Sequence, residues 1–162
     1  MPEPRHPVHT GGCQCGAARY ALYAEPSLTL ICHCRMCQKA FGSFFAPFAS
    51  IALDQFAWTR GQATHYASSQ LLHRGFCERC GTPLSCHEHG KDHINLSIGS
   101  FDAPQKLRPT RQYGIESRLP WLDQLATLPG KCTEDTCPPD FLAKLENRQH
   151  PDHDSQDWEP KG

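Results

Sequence analysis

Apolar residues in this chain come in short alternating runs rather than at the three- and four-residue spacing of an amphipathic helix. Arg19–Tyr23 and Ser27–Ile31 read as two strands split by Glu25-Pro26, and Phe44–Ile51 as a third, rich in aromatics. Pro47 inside that run points to an edge strand or a bulge, because proline brings no N–H to a ladder. Thr64–Ser68 and Leu71–Phe76 predict a hairpin around Ser69-Gln70, and Pro83–His87 and His93–Ser97 predict another across Gly90. Gln112–Ile115 predicts a last strand, and Ser117–Leu128 ends in a Leu-Pro-Gly stop. No long helix of period 3.6 is expected between residues 13 and 115. The pattern therefore predicts a mainly-β domain over residues 11–130. Residues 1–10, rich in Pro and His, read as a flexible N-terminus. Residues 131–162 carry many charges, four prolines and one short apolar segment at Phe141–Leu145. They read as a flexible tail with one helical turn or two.

Composition changes this picture at one point. Ten of the 162 residues are cysteine, well above ordinary globular usage. The formal charge of −1 excludes a nucleic-acid binder that works by neutralising phosphates. No apolar run reaches the ~20 residues needed to span a bilayer, so no membrane partner is expected. Met1–Pro7 has no apolar core of a secretory signal, and a cytoplasmic protein is expected. In that compartment a cysteine-rich sequence reads as metal-binding or catalytic, not as disulfide-stapled.

The cysteines fall into three clusters: Cys13-Gln14-Cys15-Gly16, Cys32-His33-Cys34-Arg35-Met36-Cys37 and Cys77-Glu78-Arg79-Cys80-Gly81. A C-x-x-C-G turn aims two sulfurs at one point, and the glycine lets the chain leave at positive φ without a Cβ clash. The first and third clusters each supply two thiolates, and two plus two completes a tetrahedron. This predicts a structural zinc held by Cys13, Cys15, Cys77 and Cys80. The middle cluster supplies three thiolates and leaves one position open, the arrangement of catalytic zinc. Cys32, Cys34 and Cys37 are therefore the catalytic candidates, acting through a second bound zinc. Arg35, Lys39, Arg74 and Arg79 lie within or beside the clusters and could offset their negative charge. An iron–sulfur cluster is the rival cofactor, and the repeated C-x-C spacing disfavours it. His33, between two ligands, is expected to point away. Cys86 reads as a small buried hydrophobe, and Cys132 and Cys137 have no assigned role.

The stretches G-G-C-Q-C-G-A-A-R-Y (Gly11–Tyr20), C-H-C-R-M-C-Q-K (Cys32–Lys39) and G-F-C-E-R-C-G-T-P-L (Gly75–Leu84) resemble the glutathione-dependent formaldehyde-activating enzyme family, which also includes centromere protein V. S-I-G-S-F-D at Ser97–Asp102 and E-S-R-L-P-W at Glu116–Trp121 add to the resemblance. It implies a β-tent fold of small antiparallel sheets organised around a zinc ridge, and the same two zinc ions on the same seven cysteines. The glutathione-active branch has Trp-Lys-Pro where this chain has Gln38-Lys39-Ala40, and Val-His-Met where it has Thr82-Pro83-Leu84. Many members carry His at the place of Gln112. The chain thus resembles the broad branch of the family.

The resemblance implies a zinc-dependent carbon–sulfur lyase acting on adducts of a small aldehyde with glutathione or a similar thiol. Arg35, Gln38, Ser43 and Phe44, just past the middle cluster, and Arg118 are the substrate-binding candidates, with Trp121 either beside them or in the core. The alternative reading is a non-enzymatic zinc-binding module or a thiol-based metal or redox sensor. A protein-filled fourth position on the middle cluster, for instance by His33 or Cys86, would favour that alternative.

Overall fold

The computed structural model describes residues 5–160. Its architecture is mainly β, as the alternation predicts. Strands β1 (His9–Gly12), β2 (Arg19–Leu22) and β5 (Phe56–Arg60) form a three-stranded antiparallel sheet in the order β1-β2-β5. The other strands are β3 (Leu28–Cys32), β4 (Ala46–Ala52), β6 (Thr64–Ala67), β7 (Leu72–Phe76), β8 (Pro83–Glu88), β9 (His93–Ser97) and β10 (Arg111–Tyr113). They form a seven-stranded sheet in the order β10-β3-β4-β9-β8-β7-β6. Every pairing in it is antiparallel except β10 with β3, which is parallel. Both predicted hairpins form, as β6–β7 and β8–β9.

The two faces of the larger sheet have different covers, because side chains alternate along each strand. Ala49, Ile51, Leu84, Ile94 and Leu96 face the small sheet and pack on Tyr20 and Leu22. The Tyr20 ring meets Phe56, Trp58 and Phe101, and its hydroxyl pairs with Ser100 Oγ at 2.8 Å. A Cβ on Gly11 would lie 2.5 Å from both Ser100 O and Tyr20 Oη, so only glycine lets β1 approach there. On the opposite face Leu30, Phe48 and Cys86 pack under helix α1 (Arg35–Phe41) with its Cys37 and Phe41.

Two expectations need correction, and one strand is unforeseen. Pro47 is not on an edge: β4 is central, between β3 and β9. The pairing to β9 begins only at Phe48, so on that side Pro47 has no ladder bond to lose. His9 and Thr10, expected in the flexible N-terminus, instead begin the strand His9–Gly12, because β2 pairs with it along its length. Phe56–Arg60, to which the pattern assigned no element, is β5.

Helical turns α2 (Thr133–Thr136) and α3 (Pro139–Lys144) follow the domain. The chain then runs back over it. His150 is buried, its backbone N–H donating to Gln14 O at 2.7 Å, and Trp158 Nε1 donates to Cys15 O at 2.8 Å. Asp154 accepts from Arg19 Nε at 3.0 Å. Arg19 itself is buried, and its guanidinium grips Asp102 with two bonds of 2.7 and 2.6 Å. Thr10 Oγ1 donates to the same carboxylate at 2.5 Å, so one acid ties β1, β2 and the turn after β9 together.

Candidate metal centres

Two cysteine groups converge as their spacing predicts. The Sγ atoms of Cys13, Cys15, Cys77 and Cys80 lie within 4.8 Å of one another, and so do those of Cys32, Cys34 and Cys37. Either group could hold a metal ion, and thiol-only donor sets suit a soft or borderline one.

The first group sits where the two sheets approach each other. Cys13 and Cys15 follow β1, and Cys77 and Cys80 follow β7. Each pair is shaped by a glycine at positive φ: Gly16 at 73° and Gly81 at 77°. The turns close through Gly16 N–H to Cys13 O at 3.0 Å and Gly81 N–H to Cys77 O at 2.8 Å. Sulfur is also solvated by protein, since Ala18 N–H donates to Cys13 Sγ at 3.2 Å. Burial pushes the Cys13 thiol up. Burial acts on Cys80 in the same sense, but bonds from Thr82 and the Cys15 backbone outweigh it and bring that thiol down to about 6.

The C-terminal segment seals this group from one side. A Cβ on Gly16 would lie 2.4 Å from the His150 ring and 2.6 Å from Trp158 Nε1, so the knuckle and the segment are fitted to each other. Deleting residues 149–162 removes the bonds to Gln14 O and Cys15 O. At about 1 kcal/mol each, metal loss from the first group to a competing chelator should accelerate roughly tenfold or more, with release from the second group unchanged. Biphasic release kinetics read this directly.

The second group is built from a strand end and a helix start. Cys32 ends β3, Cys34 is the N-cap of α1 and Cys37 lies in its first turn. Cys34 Sγ accepts from Cys37 N–H at 3.4 Å. Gly42, at φ 57°, closes the other end of the helix. Arg74 reaches the group from β7, its buried Nη2 donating to Cys37 Sγ at 3.3 Å. A bond from Cys32 lowers the Cys37 thiol, burial opposes this, and Arg74 adds to the lowering, leaving it at about 5; its partner Cys32 is pushed up. Of the four cationic side chains considered from the sequence, Arg74 is the one bonded to a ligand sulfur among the described residues. Arg79 bonds Pro160 O instead, at 3.3 Å.

No fourth His, Cys, Asp or Glu joins the second group among the described residues. His33 is fully buried and turns its Nε2 to Gln112 Oε1 at 2.9 Å. Cys86 is buried in the apolar cluster under α1. A cavity of about 330 Å³ opens beside the group, lined by Cys32, Cys37, Leu30, Phe48, Asn95 and Tyr113 among others. Asn95 and Tyr113 escaped the sequence reading. Their signal is register: Tyr113 pairs with Cys32, and Asn95 lies across β4 from Leu28 through Ser50.

The expected substrate residues divide. Gln38 is buried and acts as a strut, its Nε2 donating to His33 O at 2.7 Å and Ser117 O at 3.0 Å. Its Oε1 accepts from Arg35 Nη1 at 2.6 Å, so Arg35 is also engaged. Arg118 forms an ion pair with Asp123. Phe44 is exposed and meets Trp121 edge-on at 4.8 Å, and Ser43 follows the helix C-cap, its N–H donating to Gln38 O at 3.2 Å. None of these five lines the cavity beside Cys32 and Cys37.

A family model described as glutathione-dependent formaldehyde-activating enzyme matches residues 8–117. Among solved structures, the crystal structure of a Rhodobacter sphaeroides protein is similar, with 21% sequence identity and a TM-score of 0.49 over 64% of this chain and 98% of that one.

Proposed function

The chain belongs to the glutathione-dependent formaldehyde-activating enzyme family, and from that premise we propose that it is a zinc-dependent carbon–sulfur lyase acting on adducts of small aldehydes with glutathione or a similar thiol. Cys13, Cys15, Cys77 and Cys80 hold one zinc and serve the fold. Cys32, Cys34 and Cys37 hold the second and serve the chemistry. The observation that carries this reading is the three-cysteine group, with no fourth protein donor among the described residues, beside an open cavity.

When bound there, zinc supplies Lewis acidity that favours the thiolate form of a substrate thiol at neutral pH. The reaction itself is balanced without redox: a C–S bond forms between thiol and carbonyl carbon, the thiol proton ends on the carbonyl oxygen, and the reverse step restores both. The protein's residues prepare the site. Arg74 offsets the negative charge that three thiolates bring. Gln38 fixes the start of α1 against the His33 backbone, and with it the spacing of Cys34 and Cys37. Leu30 and Phe48 exclude water from the cavity floor, while Asn95 and Tyr113 offer polar groups to a substrate. Ser43, Phe44 and Arg118 belong to the rim in this reading. A cytoplasmic location, where glutathione is plentiful, goes with it; no helix among the described residues is long and apolar enough to cross a membrane.

The test has two parts. Metal analysis of the purified chain should find two zinc ions. Magnetisation-exchange NMR of a glutathione–formaldehyde mixture should then show faster interconversion of free and S-hydroxymethyl thiol when protein is added. Absence of thiol binding by calorimetry, together with an unchanged rate across several thiols, would sink the proposal.

A further inference from the structure

Side chains alternate along β7, so His73 and Arg74 lie on opposite faces of the larger sheet. Arg74 goes to Cys37. His73 stands exposed on the other face, with three more imidazoles around it. His87 is its direct partner across the β7–β8 ladder. The His89 ring stacks on it, with centroids 6.4 Å apart and planes inclined by 27°. His65, on β6, lies opposite Gly75, which shares the face of His73. Burial lowers the His65 imidazole, and the charges of His73 and His87 lower it further, so these rings lie within each other's field. His87 is the ring that is held in place. Its Nε2 meets Lys91 O at 3.0 Å, and because a carbonyl only accepts, that nitrogen carries the proton. Nδ1 is then the lone-pair nitrogen of the neutral ring. It makes no hydrogen bond among the described residues and is not sealed from solvent. A histidine that ligates a metal commonly donates its other N–H to a backbone carbonyl in this way.

We propose that His73 and His87 form a binding site for a borderline divalent cation of the nickel or zinc kind, with His87 ligating through Nδ1. Residues directly opposed in an antiparallel pair have Cβ atoms about 4.5–5.5 Å apart. Two imidazoles can bridge that span over one ion at roughly 2 Å from each nitrogen. Imidazole suits nickel, copper and zinc, whereas calcium and magnesium take oxygen ligands. Neither ring is already taken by an acid: the histidine–carboxylate pairs among the described residues are His9 with Glu25 and His93 with Asp92. Groups of three or more convergent donors are confined to the cysteines among the described residues. The ion on the histidine pair therefore keeps water in its remaining positions and exchanges more readily than one held by thiolates. The site is independent of the lyase reading and holds or fails whatever the protein catalyses.

The experiment titrates the full-length, zinc-loaded chain with Ni²⁺, which binds imidazole without oxidising thiols and broadens the NMR signals of the rings it touches. Saturable broadening of the His73 and His87 imidazole signals is expected well below millimolar Ni²⁺. Absorption is followed on the same samples, because nickel entering a cysteine group brings a thiolate-to-metal band that imidazole ligation lacks. His73→Gln removes an exposed ligand and should weaken Ni²⁺ binding by about tenfold or more, with zinc content and circular dichroism unchanged. His87→Gln should do the same. His153→Gln, in the exposed C-terminal segment, should bind as the parent does. No saturable binding below millimolar Ni²⁺, undiminished binding by both His73→Gln and His87→Gln, or uptake that appears only as the thiolate band would each overturn the proposal.

Discussion

Cys77→Ser is expected to leave a chain that no longer unfolds cooperatively, whereas Cys34→Ser is expected to melt almost as the parent does. Both remove one sulfur from a candidate metal group, so the contrast isolates what each group does. Cys77 is buried at the junction of the two sheets, beside Cys13 in the main core. A closed zinc site in a small domain contributes roughly 10–16 kcal/mol of apparent folding energy, as much as a whole domain's net stability of about 5–15 kcal/mol. Cys34 is different in kind. Its second task is to cap α1 by accepting the Cys37 N–H, and serine is a favoured N-cap. The serine variant therefore keeps the helix start while losing a metal donor. Thermal melts followed by circular dichroism, with metal counts on the same samples, give the comparison. Cys34→Ser should retain one zinc, a cooperative transition and no thiol–aldehyde exchange activity. Equal loss of structure in both variants would refute the division of labour between the sites.

The second large effect is expected at Asp102. Arg19 is almost wholly buried, its side chain 4% exposed, and Asp102 supplies its buried anion through paired bonds. Asp102→Asn strands the guanidinium, and breaking a buried pair from one side costs about 3–5 kcal/mol. Asp154 also accepts from Arg19, but it is half exposed, so Asp154→Asn should cost less than about 1 kcal/mol. Burial raises the Asp102 carboxyl, yet the bonds from Arg19 and Thr10 prevail and hold it below the usual carboxylate range. A group lowered on folding contributes stability above its unfolded value, near 4, and loses it as pH falls through the lower folded value. Urea melts from neutral to acid pH should show the parent losing stability below about pH 4. The Asn variant should lack this component.

The two cysteine groups that could hold a metal were legible because each signal is local. A glycine beside two cysteines states its own turn, and three cysteines in one short segment cannot avoid each other. The two hairpins were legible from alternation with polar turns. What escaped depends on distant partners. His-Thr-Gly-Gly has no strand pattern; β1 exists because β2 pairs with it and Asp102 holds Thr10. The parallel lie of β10 on β3 brings Tyr113 beside Cys32, and nothing in Arg-Gln-Tyr announces the direction of a strand. Gln38 reads as a substrate-binding candidate just past the middle cluster, yet its amide is consumed by the backbone of His33 and Ser117. Arg74 reads as one cation among several, and only the fold selects it for Cys37.

The split of the first group between the chain's start and its middle bears on the order in which the molecule is assembled. Cys15 and Cys77 are 62 residues apart, whereas Cys32, Cys34 and Cys37 fit in one strand end and helix start. Closing the longer loop costs the unfolded chain about 2 kcal/mol more entropy than closing one a tenth as long. The middle trio is also synthesised before Cys77 and Cys80. A nascent chain can thus offer a thiol trio to a metal while its four-cysteine site is still half synthesised. Occupancy of the trio reports only that the peptide has been made, and occupancy of the four-cysteine site reports that both sheets have come together.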